Sequence, residues 1–195
     1  MIKLRCVISG TSVTESKGFT LSMIETAVEL TEGRVKGSEV QEIIGYAREM
    51  LASPIELLEG VRETIEELSS GYKLMVITQG DLFDQESKLA RSGIGDCFDD
   101  VEIVSKKNRE VYLKIASRYQ IDLQKFLMVG NSLKSDILPV VEIGSNAIHI
   151  PYETEWFHDA VQDDDLIDKE FTEITSIRRL PDWLAKRKSG IKADD

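Results

Sequence analysis

Three short segments hold the residues whose types and spacing could do chemistry. In VITQGD (residues 76–81) an apolar run ends in Thr78, Gln79 and Gly80. A hydroxyl beside exposed backbone N–H groups suits a phosphate oxygen. In VSKKN (104–108) Lys106 and Lys107 follow a second apolar run, and one ammonium there could neutralise a phosphate. In MVGNSLKSDI (128–137) Gly130 allows a tight turn, Asn131 offers a carbonyl oxygen and Asp136 a carboxylate. These are hard oxygen donors of the kind Mg²⁺ takes. Taken singly, the first two have plainer readings: Thr78 as a local cap in a strand-to-helix turn, the lysines as a solvated pair. Taken together they occur in order, each at the end of an apolar run, and that order favours a shared site.

The elements that must position them form a regular series. LMVIT (74–78), VEIV (101–104), FLMVG (126–130) and AIHI (147–150) read as short buried strands. Helical stretches over 84–93, 109–119 and 136–143 separate them, which is the pattern of βαβ units and a parallel sheet. Gly93 and Gly144 sit where left-handed helix caps belong, and Pro139 falls in a first helical turn. Ligands of such sheets bind beyond the carboxyl ends of the strands, where all three segments lie.

The chain before Ser69 differs. IKLRCVI (2–8) reads as one further strand. Phe19, Met23, Ala27 and Leu30 space as one helical face, and Val40, Ile43, Ile44, Ala47 and Leu51 as another. Ser38 with Gln41 has the spacing of a capping box. Pro54 ends this pair, and Val61, Ile65 and Leu68 mark a third helix. After Tyr152 come a loop with Trp156 and an acidic run, a weak strand near Thr172–Ile174 and a helix from Pro181 to Arg187. The reading is an α/β fold with a doubly wound parallel sheet: residues 1–16 and 56–195 form the core, and 17–55 a small helical cap.

Composition bounds the function. The 195 residues suit about one domain, 42% hydrophobic and 30% charged. Net charge is −11 (24 basic against 35 acidic side chains). A surface that acidic repels phosphate backbones, so nucleic acid and anionic membrane are excluded as expected partners. Two cysteines, Cys6 and Cys97, fit a reducing cytoplasm. Two histidines, His149 and His158, cannot make a multi-histidine metal site. His149 reads as a packed strand residue rather than a catalytic base.

With the three segments in order, the chain resembles the haloacid dehalogenase-like hydrolases. The stretches GFTLSMIETAVEL, DLFDQESKLARSG, FLMVGNSLKSDILPV and HIPYETEW look like a phosphatase-like subfamily with a helical cap after the first strand. The resemblance implies a Mg²⁺-dependent phosphatase of a small phosphorylated metabolite. It makes Thr78 the phosphate-binding residue and Lys107, or alternatively Lys106, the lysine. Asp136 with Asn131 would be the metal ligands, and Gln79 and Gly80 would help hold substrate.

One departure matters. The family carries Asp-x-Asp at the end of its first strand: a nucleophile that takes the phosphoryl group, then a general acid–base. Here that region reads CVISGTSV (6–13), placing Val7 and Ser9, or Ile8 and Gly10, at the two positions. No aspartate precedes Asp81. Val or Ile cannot act as a nucleophile. The expectation is therefore a hydrolase by descent with impaired turnover and weakened Mg²⁺ binding. The alternatives are a non-catalytic phosphate-binding or regulatory relative, or an N-terminally truncated product of an active enzyme. Self-association is left open.

Overall fold

The computed structural model describes residues 5–6, 13–152 and 170–188. Six parallel strands appear in it: β1 (Arg5–Cys6), β2 (Met75–Gln79), β3 (Asp100–Val104), β4 (Leu127–Gly130), β5 (Asn146–His149) and β6 (Thr172–Glu173). Hydrogen bonding orders them β1-β4-β5-β6 and β2-β3, and β1 lies beside β2, so the two parts meet at the first strand. Its register places Arg5 opposite Met128 and Cys6 opposite Val129. The sequence resumes at Val7, the start of the segment where the family's aspartates would stand; residues 7–12 lie outside the described residues.

Alternation along the strands divides the core into two layers. Met75, Ile77, Met128 and Ala147 point to one face, where they meet Tyr112, Ile115 and Ala116 of α5 (Arg109–Arg118). Val140 of the short helix α6 (Leu138–Val141) joins them. Leu74, Leu127, Val129 and Ile148 point to the other face. There they pack on Ile65 and Leu68 of α3 (Val61–Ser69) and Leu180 and Leu184 of α7 (Leu180–Lys188). Helices on both faces explain why these strands are continuous apolar runs rather than alternating ones. The doubly wound parallel sheet expected from the sequence is present. Burying each such side chain contributes roughly 1.5–3 kcal/mol.

Helix α4 (Leu82–Ser92) follows β2 directly. Asp81 caps its start, accepting from the Asp84 N–H at 3.3 Å, and Gly93 ends it at φ 68°. Arg62 of α3 donates to the carbonyls of Ser92 (3.0 Å) and Gly93 (2.9 Å), satisfying acceptors that the helix end leaves open.

Helices α1 (Val13–Leu30) and α2 (Gly37–Ala52) form an antiparallel pair joined through Gly33 at φ 78°. Two details differ from expectation. The cap of α2 is not Ser38 with Gln41: the helix starts at Gly37, and the Glu39 carboxylate accepts the Lys36 N–H at 2.8 Å. The expected inward face of α1 is largely open, with Phe19 56% and Leu30 81% exposed. Of that face Ala27 is half-buried, and Thr20, Ile24 and Thr31 are half-buried with it. Spacing identifies helical faces; which one turns inward depends on what the helix lies against, and α1 lies against α2 and α4.

Candidate active site

The three chemistry-bearing segments converge at the carboxyl ends of β2, β3 and β4. At the end of β2, Thr78 is buried and its hydroxyl donates to Gln85 Oε1 of α4 at 2.7 Å. Gln79 is exposed, and its Oε1 accepts the Lys107 backbone N–H at 3.1 Å. The Gly80 N–H donates to the Val104 carbonyl at 3.1 Å. Gly80 also adopts φ 146°, a conformation L side chains rarely take. In this geometry Gln79 and Gly80 tie the β2 turn to β3, and the Gly80 N–H expected to face phosphate is already engaged. Sequence spacing could not show this, because Val104 becomes a neighbour only through the register Gln79–Val104.

After β3 the two lysines separate. Lys106 is exposed, whereas Lys107 is buried and its Nζ donates to Asp136 Oδ1 at 2.8 Å. Between the two lysines, burial and partner single out Lys107. Asn108 then caps α5, accepting the Val111 N–H at 3.0 Å.

After β4 the chain enters a π-helical turn (Leu133–Ile137), in which the N–H groups of both Asp136 and Ile137 reach the Ser132 carbonyl. Wide turns of this kind recur at functional sites. It turns Asp136 back over the strand end, fully buried, with Oδ2 accepting the Ser132 N–H at 3.2 Å. The carboxylate lies so close to Gly130 that an added Cβ there would stand 2.5 Å from Oδ2. Gly130 is thus required for the close approach of Asp136, rather than for a turn. Tyr112 braces the same turn, donating its hydroxyl to the Ser135 carbonyl at 2.9 Å. Burial, together with the charge of Asp136, pushes the Tyr112 phenol far above its ordinary pKa and keeps it a neutral donor.

Asn131 completes the group. Its Oδ1 is buried without a hydrogen-bond partner among the described residues, and its backbone carbonyl faces His149 Nε2 at 3.0 Å. His149 is buried at the end of β5, with Nδ1 2.9 Å from Glu173 Oε2. It packs in the strand as expected, and it also holds the loop that carries Asn131.

The oxygens available for a cation are those of Asn131 and Asp136. Among the described residues, no group of three or more His, Cys, Asp or Glu side chains is placed to hold a metal. Buried Asn131 Oδ1 without a donor beside a carboxylate nevertheless suits a hard cation, since an unsatisfied buried carbonyl is costly unless something binds it.

Residues 16–144 match the profile of the haloacid dehalogenase-like hydrolases, a stretch covering well over half of the chain. The chain belongs to this family. A haloacid dehalogenase-like family hydrolase from Xanthomonas campestris superposes with a TM-score of 0.81 at 30% identity, covering 97% of each chain. The glyceraldehyde 3-phosphate phosphatase of Pyrococcus abyssi is 32% identical over 99 residues, 48% of this chain and 42% of that one. Its counterpart from Methanothermobacter thermautotrophicus is 33% identical over 126 residues, 62% of this chain and 54% of that one. The chain thus spans about half the length of the curated relatives it matches. Within this family fold, sequence reasoning missed Gln85, Tyr112 and the His149–Glu173 pair. Gln85 did leave a trace: with Leu89 and Ser92 it lies on one helical face, and Gln85 and Ser92 are polar yet buried.

Proposed function

We propose that this haloacid dehalogenase-like chain binds a small phosphorylated metabolite at the ends of β2, β3 and β4. The observation that carries the reading is the buried Lys107–Asp136 pair beside the unpartnered Asn131 Oδ1. In this reading the Thr78 hydroxyl and the Lys107 ammonium face the phosphoryl oxygens. Asp136 and Asn131 would hold Mg²⁺, which would supply positive charge to offset that of the phosphoryl group. Gln79 and Gly80 shape the turn that presents Thr78. Residues 17–55 act as a reduced cap over the strand ends, in keeping with the approach of α1 to α4. The glyceraldehyde 3-phosphate named for two relatives favours a three-carbon phosphorylated aldehyde or a near analogue as ligand.

Binding is proposed in preference to turnover. The segment 6–13 supplies no aspartate; Ser9, Thr11 and Ser12 have no histidine near them in sequence, and the nearest carboxylate is that of Glu15, beyond the segment. Loss of a nucleophile typically costs on the order of 10⁶ in kcat. The deciding experiment is hydrolysis of a generic aryl phosphate with and without Mg²⁺, beside Asp136→Ala, with inorganic phosphate binding measured on the same samples. The expected result is phosphate binding that Asp136→Ala weakens in the presence of Mg²⁺, with no turnover above that variant. Mg²⁺-dependent turnover that disappears in Asp136→Ala would overturn the non-catalytic reading.

A further inference from the structure

The contact between Thr78 and Gln85 leaves a proton problem whose solution names a further functional residue. Thr78 Oγ1 and Gln85 Oε1 are 2.7 Å apart, both side chains are more than nine-tenths buried, and Gln85 Nε2 is buried with no partner among the described residues. A hydroxyl carries one proton and accepts through its lone pairs. In this arrangement the Thr78 proton is given to the Gln85 carbonyl oxygen. An unprotonated phosphoryl oxygen is only an acceptor, so Thr78 cannot donate to it while its proton is committed to Gln85. The amide can reverse this. Half a turn about its Cγ–Cδ bond exchanges carbonyl and amino ends without changing the shape of the group. Nε2 then donates to a lone pair of Thr78, and the Thr78 proton is released toward the ligand. The same rotation gives the amino group an acceptor and moves the carbonyl oxygen into the place the amino group held, so the two orientations make the same number of hydrogen bonds among the described residues.

We infer that Gln85 is a positioning residue for phosphate binding: by turning its amide it sets whether Thr78 donates to the ligand. The inference rests on the phosphate reading of the site and extends it to a residue on α4. Gln85 acts through Thr78 and need not touch the ligand.

The test is a double-mutant cycle on inorganic phosphate binding in the presence of Mg²⁺, using the full chain. Glu at position 85 keeps the shape and, once ionised, only accepts, so at a pH high enough to ionise this buried carboxyl it holds the Thr78 proton. Gln85→Glu is expected to weaken phosphate about tenfold or more, matching Thr78→Val, and to add less than about twofold in the Thr78→Val background. Gln85→Met, which leaves Thr78 unclaimed, is expected to weaken binding less than Gln85→Glu. If Gln85→Glu binds like the unsubstituted chain, or weakens the Thr78→Val background as strongly as the parent, the inference falls; the latter result would indicate simple charge repulsion. In the unsubstituted chain, the Gln85 side-chain amide protons are expected to shift in NMR spectra on phosphate addition, and not to shift in Thr78→Val. This measurement stands even where a position-85 variant does not fold, and an unmoved amide overturns the inference. Failure of the unsubstituted chain to bind phosphate at all would overturn the phosphate reading itself and this inference with it. Binding that Gln85 variants leave untouched would overturn the inference alone.

Discussion

Lys107 and Asp136 are both buried, and each is the other's charged partner at 2.8 Å. A buried ion pair contributes little net stability over an apolar pair, yet removing one member strands a charge away from water. Lys107→Met is therefore expected to destabilise the fold by about 3–5 kcal/mol, measured by denaturant unfolding. Adding Asp136→Asn removes the stranded charge, and the double variant is expected to recover part of that loss. Both variants should lose phosphate binding. A double variant no more stable than the single would show that the cost lies in packing rather than charge. The pair thus links fold and site: the groups proposed to bind phosphate and Mg²⁺ satisfy each other within the fold.

At the scale of elements, the β2–β3 ribbon presents Thr78, and its lower end is fastened around Asp99. Lys73 donates to Asp99, and Asp99 also accepts the Leu74 N–H at 2.9 Å. The hydrogen bond from Lys73, aided by that from Leu74, holds the Asp99 carboxyl below its usual pKa; the same partner raises that of Lys73. The signs follow directly. A depressed Asp99 contributes stability above the ordinary carboxylate pKa and loses it as pH falls through the folded value. A raised Lys73 contributes below the ordinary lysine pKa and loses it as pH rises through its folded value. Asp99→Asn is expected to flatten the acid side of the melting temperature against pH and to leave its shape near neutrality unchanged. An unchanged acid limb would mean that solvent screens the pair. Because both groups are partly exposed, the effect is small.

For the whole molecule, the question is how the two-helix unit is tethered to the sheet. Arg91 of α4 donates to the carbonyls of Leu51 (3.0 Å), Ala52 (3.1 Å) and Ser53, where α2 ends. Arg178 spans the other side of the connection, donating to Glu59 at 2.8 Å with its side chain against Gly60. Arg91→Ala removes charge-assisted bonds from an exposed junction while leaving both core layers intact. The core unfolding midpoint is expected to move little. Proteolysis between residues 53 and 60 is expected to accelerate on the order of tenfold, as for loss of about 1–2 kcal/mol of local stability. A large fall in the midpoint with no gain in cleavage would place Arg91 in the global fold instead.

Much of this protein was determined by local sequence. Short apolar runs alternating with helical stretches read as strands buried on both faces, so element order, parallel pairing and the convergence of the segments carrying Thr78, the two lysines and Asp136 at one end of the sheet followed from periodicity and chain order. Glycines marked the helix ends for the same local reason, since Gly93 and Gly144 adopt backbone conformations that side chains resist. Only the tertiary structure decided the rest, because each remaining feature depends on residues far apart in sequence. The Val104 carbonyl claims the Gly80 N–H across a strand pair. Burial separates Lys107 from Lys106, and Gly130 makes room for Asp136 across the turn. The open face of Phe19 depends on what surrounds α1, which helical spacing does not contain. Gln85 was legible only as a polar residue on a helical face; its role arises because α4 folds back over the end of β2 and sets an amide against a hydroxyl that must donate elsewhere.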